Sequence, residues 1–501
     1  MWREDLTGEI SAPPTYDELL ALVRALQQEL AETRAELAET RAELAAARAE
    51  IVELKARIGR NSQNSSRPPS SDPPGTRPPK SGRGKRGKRR KRGGQPGHVG
   101  RFAAEQPAHV DHVKQYRPTT CEHCQADLAK GKPMGSVVNH YVYELPEIRP
   151  IVTDHQCLDA QCPGCGLVTF AKLPPGVPTG HYGPTVQAMT ALARGQLRQS
   201  VRQTSAMMTD VLHVPMSTGM VAKTQDQVSR ALAQPHQEVL EHAQQSGMAH
   251  ADETGWREDK KKAWLWVAVT ALVTVFLVRT CRNAKAAKDL LGEAFAGILI
   301  TDRWASYNWV AAARRQLCWS HLKRDFTSFL DYGPEAKRLG ERLLAERRKL
   351  FRWWHRVRDG TMTRAELQLA SRAARRRILS LLEEGTGLSS AKVSGMCREM
   401  LKLQVAFFTF IDVEGVEPTN NSAERAIRFA VLMRKGCFGS DSARGSRFIE
   451  RFLTARATLR SQKRDLYTFL KDACTAALNG TSPPSLLPDH AQSSEQIAAA
   501  A

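Results

Sequence analysis

At 501 residues the chain is too long for one ordinary domain, and size alone divides it into roughly two to four units. Its 73 lysines and arginines against 52 acids give a formal charge of +21 and an isoelectric point near 9.8, a balance that suits a polyanion such as nucleic acid. The longest apolar run, Ala263 to Val278, falls short of the roughly 20 residues a spanning helix needs and is rich in β-formers, so a hairpin is preferred to a membrane span. No membrane partner is expected, and the opening Met1 to Leu6 carries no signal pattern, which argues for a cytoplasmic protein.

From Leu19 to Ile58 a seven-residue period is plain, with Val23, Leu30, Leu37, Leu44, Ile51 and Ile58 in one register and Leu19, Leu26, Thr33, Thr40, Ala47 and Leu54 in the other. Residues 15–58 therefore read as a coiled coil that forms a homodimer, against the alternative of a single solvated helix. Thr33, Thr40 and Ala47 weaken the seam, so a modest dimer is expected. Residues 59–105 are Asn/Ser/Pro-rich and then densely basic, a composition that builds no core and reads as a disordered linker. Within it Lys85, Arg86, Lys88, Arg89, Arg90, Lys91 and Arg92 form an acid-free run suited to neutralising DNA phosphates, the alternative being a solubilising tail.

Cys121-Glu122-His123-Cys124 and Cys162-Pro163-Gly164-Cys165 are two CxxC pairs on either side of a β-rich interval. Each pair brings two thiolates to one tetrahedral ion, so Cys121, Cys124, Cys162 and Cys165 are expected to hold a structural Zn2+ in a zinc ribbon over 110–172. A redox CxxC is the alternative, but it has no need of the second pair. Residues 180–235 look helical. Ser200 to Leu212, a turn at His213 to Met216, and Ser217 as an N-cap suggest a helix-turn-helix-like DNA-binding segment presenting Lys223 and Gln225.

Beyond it, His250-Ala251-Asp252-Glu253-Thr254 precedes two β-rich runs, Trp264 to Thr270 and Leu272 to Arg279, that read as a hairpin. A helix-prone stretch, Ala284 to Phe295, leads to a buried strand, Gly297 to Thr301, ending in Asp302. Much later, Asn420 to Arg428 opens a helix that carries Glu424. Three carboxylates on a mixed sheet and a facing helix can hold two divalent cations about 4 Å apart, the arrangement of polynucleotidyl transfer, and hard oxygen ligands favour Mg2+ or Mn2+. Asp252, Asp302 and Glu424 are thus the expected catalytic and metal-binding acids of an RNase-H-like domain over 245–475.

Each acid has a competing role. Glu424 closes a capping-box pattern with Asn421, Asp302 can cap the helix after it, and strand alternation allows only one of Asp252 and Glu253 into the site. His321, in Cys318-Trp319-Ser320-His321-Leu322-Lys323-Arg324, is either at the edge of the active site or a hydrogen-bonded core histidine. Residues 334–411 form a helical insertion whose Trp353-Trp354 pair suits either DNA stacking or a core. Arg425 and Arg428, and the turn from Gly436 to Ser440, suit phosphates. The Ser/Pro/Ala-rich end, residues 476–501, reads as a disordered tail.

With these residues in view, the chain closely resembles bacterial transposases of the insertion-sequence family IS sixty-six, from the coiled coil to about residue 475. The resemblance is carried by Pro68-Pro69-Ser70-Ser71-Asp72, Gly93-Gly94-Gln95-Pro96-Gly97-His98, the paired CxxC motifs, His250 to Thr254, Thr301-Asp302, Trp319 to Arg324, and Asn420 to Arg428, all in order. It implies a DDE-type DNA transposase with Asp252, not Glu253, as first acid and Glu424 as third. It further implies a helical insertion, terminal inverted repeats as substrate, cleavage at element ends with strand transfer into target DNA, and small accessory proteins of the same element. Where the family has a small residue after the second Asp, this chain has Arg303-Trp304. A non-catalytic zinc-ribbon DNA-binding regulator and a resolvase-like nuclease are the competing functions.

Overall fold

In a computed structural model of the chain, residues 15–62, 64, 65, 107, 109–129, 131, 132, 134, 135 and 137–488 are described. They fall into two compact units. The larger takes the described residues of Met1–Thr76, Gln156–Ser205 and Ser217–Ala501, and the smaller those of Arg77–His155 and Ala206–Met216. Among the described residues no helix is long and apolar enough to cross a membrane.

Helix α1, Tyr16–Ile58, is one 43-residue helix. Thr15 starts it with a capping box: its hydroxyl accepts the Glu18 N–H, and the Glu18 carboxylate accepts the Thr15 N–H at 2.8 Å. Alanine, leucine and glutamate favour the helix throughout, and Leu30, Leu37, Leu44 and Ile51 leave a stripe about half exposed along it.

The interval between the CxxC pairs departs from the β-rich expectation. Residues 137–158 enter no ladder, and the strands are confined to β1, Asp159–Gln161, and β2, Val168–Phe170, an antiparallel hairpin around Cys162 to Cys165. Val137, Val138, Ile151 and Val152 stand at least three-quarters exposed, because β-forming side chains make a strand only when another backbone accepts their hydrogen bonds.

The helices before the sheet are α2, Pro184–Gly195, α3, Val201–Ala206, α4, Thr218–Ala231, and α5, Ala233–Gln244, with a π-helical turn Met207–Val211 following α3. Ser217 caps α4 by accepting the Met220 N–H. The apolar faces of α2, α4 and α5 supply Ala188, Ala191, Val228 and Val239, and the α4–α5 junction Leu232, to the same core as the sheet, so these helices are built into the α/β region. On α4 Lys223 is exposed, whereas the Gln225 side chain accepts a hydrogen bond from Arg194 at 3.0 Å.

Five strands form that sheet: β3, Met248–Glu258, β4, Lys261–Val269, β5, Thr274–Arg279, β6, Ile298–Thr301, and β7, Arg315–Leu317, with helix α6, Ala284–Leu291, between β5 and β6. Their order is β5-β4-β3-β6-β7, antiparallel from β3 outward to β5 and parallel from β3 through β6 to β7. Both edges are closed by side chains. Along β5, the N–H groups of Thr274, Phe276 and Val278 donate to Thr458, Thr454 and Glu450 of helix α13, Ala443–Ser461, at 3.1, 3.0 and 2.6 Å. The match is geometric: four residues of helix rise about 6 Å, close to two residues of strand, so one helix face satisfies every second strand N–H. An unpaired edge would otherwise invite foreign strands. On the other edge the Gln316 side chain bonds the backbone of Phe407 and Phe410.

Strand β7 was not anticipated from sequence, because two of its three residues, Arg315 and Gln316, are polar yet fully buried. Helix α7, Trp319–Ser328, follows, and then the insertion: α8, Pro334–Arg358, α9, Arg364–Thr386, α10, Ala391–Lys402, and the short α11, Thr409–Asp412. It has its own core, in which Trp354 packs edge-on against Phe410 at 5.4 Å, so the tryptophan pair serves packing. Helix α12, Asn421–Cys437, returns to the sheet, and α13 and α14, Leu466–Asn479, complete it. Residues 476–488 depart from the tail expected there: α14 runs to Asn479, Leu486 is buried, and the carbonyls of Ser485 and Leu486 accept from Arg464 and Gln462. Residues 489–501 lie outside the described residues.

Candidate active site

The parallel pairing of β3 with β6 runs from Met248↔Ile298 to His250↔Ile300. Continued two residues further, that register sets Asp252, midway along β3, beside Asp302, which follows the last residue of β6. Helix α12 is anchored to the same point. Its N-cap residue Asn420 makes no cap hydrogen bond; its amide instead donates to the Ala251 carbonyl at 2.8 Å and its oxygen faces His250 Nδ1 at 3.2 Å. This tether fixes the first turn of α12, and with it Glu424, to the strand that carries Asp252.

The competing roles now separate. Glu424 is not a capping residue, since its Oε1 is buried without a hydrogen bond. Glu253 is committed elsewhere: its carboxylate takes Arg282 Nε and Nη2 at 2.8 and 2.7 Å and the Tyr307 hydroxyl at 2.6 Å. Asp302 does serve locally, accepting the Trp304 N–H at 2.9 Å.

Electrostatics mark Asp252. Burial, and then the like charges of Glu253 and Asp302, push the Asp252 carboxyl up to about 8, far above the aspartate range. His321 counters this. Burial alone would lower its imidazole, but the sulfur of Cys318 and the charge of Asp302 carry it up to about 9, and its positive charge favours ionised Asp252. A carboxyl raised by the like charges beside it is a donor suited to a divalent cation.

His321 also meets the third acid. Its Nδ1 lies 3.7 Å from Glu424 Oε1, with Arg324 Nη2 at 4.0 Å from the same oxygen. Among the described residues, Cys318, His321 and Glu424 are the group of three ligand-type side chains whose donor atoms all lie within 4.8 Å of one another; Asp252 and Asp302 are outside it. His321 thus faces the acids, and its Nδ1 makes no hydrogen bond of the kind that would mark a core histidine. Cys318, Arg324 and Asn420 were missed from sequence, although the Cys318-x-x-His321 spacing was visible.

The turn after α12 is bound to β3 as well. Gly439 has φ +130° and a Cβ there would meet the Arg257 carbonyl oxygen at 2.4 Å, so only glycine lets Ser440 hydrogen-bond the backbone of Arg257 and Asp259. Arg434 donates to Thr254 Oγ1 and the Gly255 carbonyl, which takes it out of any phosphate role, whereas Arg425 and Arg428 are exposed on α12.

The cysteine pairs form two separate turns. The Cys121 thiol is held below its usual range by the backbone N–H groups of Cys124 and His123, and Cys162 by those of Cys165 and Gly164. Cys121 and Cys124 belong to the smaller unit, Cys162 and Cys165 to the larger. Lys85, Arg86, Lys88, Arg89, Arg90, Lys91 and Arg92 lie outside the described residues.

Comparison with known proteins gives two family matches. A model described as Transposase IS66 family matches residues 179–447, more than half of the chain, and a family of unknown function (DUF6444) matches residues 14–103. A search of curated proteins returned no match.

Proposed function

The chain belongs to the transposase IS66 family, and from that premise we propose that it cuts DNA at the ends of an insertion sequence and joins those ends to target DNA, with Asp252, Asp302 and Glu424 as its catalytic acids. The family implies DNA binding and a divalent metal. The observation that carries the finer reading is the in-register placement of Asp252 and Asp302 with the Asn420 tether that brings Glu424 to the same strand. The strand order β5-β4-β3-β6-β7, three antiparallel and two parallel, supports an RNase-H-like domain carrying the helical insertion.

Two Mg2+ or Mn2+ ions held by these acids would supply charge stabilisation for the attacking and leaving oxygens of a phosphodiester. The protein's own residues do the rest. His321 supplies positive charge between the aspartates and Glu424, and Arg324 holds the Glu424 side of the site. Arg425 and Arg428 take backbone phosphates, which sets register without reading bases. Preorganised positioning and electrostatics are the main contributions a protein makes to phosphoryl transfer.

The other assignments rest on sequence. Zinc at Cys121, Cys124, Cys162 and Cys165 is structural, and the local N–H turns at each pair suit thiolate ligands. The half-exposed stripe of α1 fits a coiled-coil homodimer, the basic run at 85–92 tracks DNA phosphates, and accessory proteins of the same element assist.

The test is incubation with the element's own ends and a target plasmid, in magnesium, in EDTA, and with Asp302→Asn. Magnesium-dependent nicks at the ends with joined product are expected, absent from both controls. Normal cutting by Asp302→Asn would overturn the metal-site assignment, and cut ends that are never joined would mean a nuclease.

A further inference from the structure

Arg303 and Trp304 follow Asp302 directly, and the structure gives the two side chains opposite fates. Arg303 turns inward and forks onto Asp325, with Nε and Nη2 at 3.0 and 2.7 Å from one oxygen. Trp304 turns out, 39% exposed, although its backbone is pinned on both sides. Its N–H donates to the Asp302 carboxylate at 2.9 Å, and its carbonyl accepts the Tyr307 N–H at 3.2 Å.

The indole is supported from beneath. Arg282 Cζ lies over the Trp304 ring at 3.9 Å and over the Trp264 ring at 4.7 Å, and Lys262 Nζ is 5.3 Å from the Trp264 centroid. The guanidinium cannot swing away, because Glu253 holds it with two nitrogens and is itself held by Tyr307. A single exposed apolar side chain on a protein surface needs no explanation. This one is a rigid aromatic plate with one face occupied by a cation whose charge a buried carboxylate already balances, two residues from a catalytic acid. Such a plate offers its free face to another flat π-system, and a polyanion's phosphates have no claim on it.

We propose that Trp304 is a nucleobase platform: it stacks an unpaired base of the element end next to the phosphate that Asp302 serves. The inference rests on the transposase reading above. A paired base is already stacked on both sides, so the platform selects DNA whose terminal base has left the helix, and Glu253, through Arg282, is a positioning residue for it. Base stacking on an aromatic side chain sets the expected size, roughly a 5- to 100-fold loss of affinity when the ring is removed.

The test uses the full-length protein and a duplex of its element end with 2-aminopurine at each position beside the cleavage point, in EDTA, with a second set carrying the probe in the target duplex. Binding is expected to unstack one end position, seen as a change in 2-aminopurine fluorescence confined to it. Trp304→Phe should keep that signal. Trp304→Leu should lose it, and bind the end at least roughly 5-fold more weakly, while melting at the wild-type temperature. Unchanged fluorescence and affinity in Trp304→Leu would overturn the platform, as would a signal only in the target duplex. Asp302→Asn separates the two readings: it should keep the fluorescence change and lose all cutting. If it cuts normally the metal site is wrong, whatever the fluorescence shows.

Discussion

Replacing Asp252 by Asn removes a charge that its burial and its acidic neighbours oppose, and the structure sets the size of the effect. The carboxyl sits at about 8 in the fold against an ordinary 3.8, so the folded chain holds a proton that the unfolded chain has released. Stability contributed by this group therefore falls as pH rises from about 4 to about 8, and the penalty is complete above 8. Each tenfold difference in proton affinity between folded and unfolded chain corresponds to about 1.4 kcal/mol. Asp252 keeps partial solvent contact, which screens most of the resulting penalty, and about 1 to 2 kcal/mol remains. In EDTA at pH 8 the Asp252→Asn variant should thus melt roughly 3 to 6 °C above wild type, with the gap closing towards pH 5. Magnesium should raise the wild-type melting temperature and leave the variant unmoved, and the variant should not cut DNA. Differential scanning calorimetry across pH, with and without magnesium, reads all of this. Equal melting temperatures at pH 8 in EDTA, or an equal magnesium shift in both proteins, would refute the placement of Asp252 in a repelling, cation-binding cluster.

Other consequences follow from the same contacts. Thr454→Val keeps the shape but strands the Phe276 N–H at the sheet edge, and should cost about 1 to 3 kcal/mol in urea unfolding; a neutral result would mean that edge is not sealed by α13. Cys162→Ser should lower bound zinc, measured by emission spectroscopy, and raise salt-insensitive aggregation without altering the chemistry at the acids; full zinc content would remove that cysteine from the ligand set. Leu37→Asn, in the exposed stripe of α1, should shift the species seen by light scattering from two chains towards one, and an unchanged mass would place the self-association elsewhere.

What could be read in the sequence was local. The heptads of α1, the Ser217 cap that starts α4, and the end of β6 at Asp302 all follow from patterns a few residues long. Periodicity and capping chemistry act between neighbours, so one chain suffices to show them. Local pattern also misled: valines and isoleucines near 137–152 suggested strands that have no partner, and polar Arg315 and Gln316 concealed one that has.

Only the tertiary structure shows which partner each acid meets. Glu253 and Asp252 are adjacent, and strand alternation separates them without saying what either meets; Arg282 and Tyr307, 29 and 54 positions from Glu253, claim the first and leave the second beside Asp302. Asn421 and Glu424 fit a capping box by sequence, yet Glu424 faces His321, at the start of a helix that the Asn420 side chain ties to Ala251 across 169 positions. Trp304 was an oddity of sequence until Arg282 was seen beneath it. A residue's type sets what it can bind, but the partner it meets is set by how strands register and helices dock, and those long-range contacts leave no periodic trace in the chain.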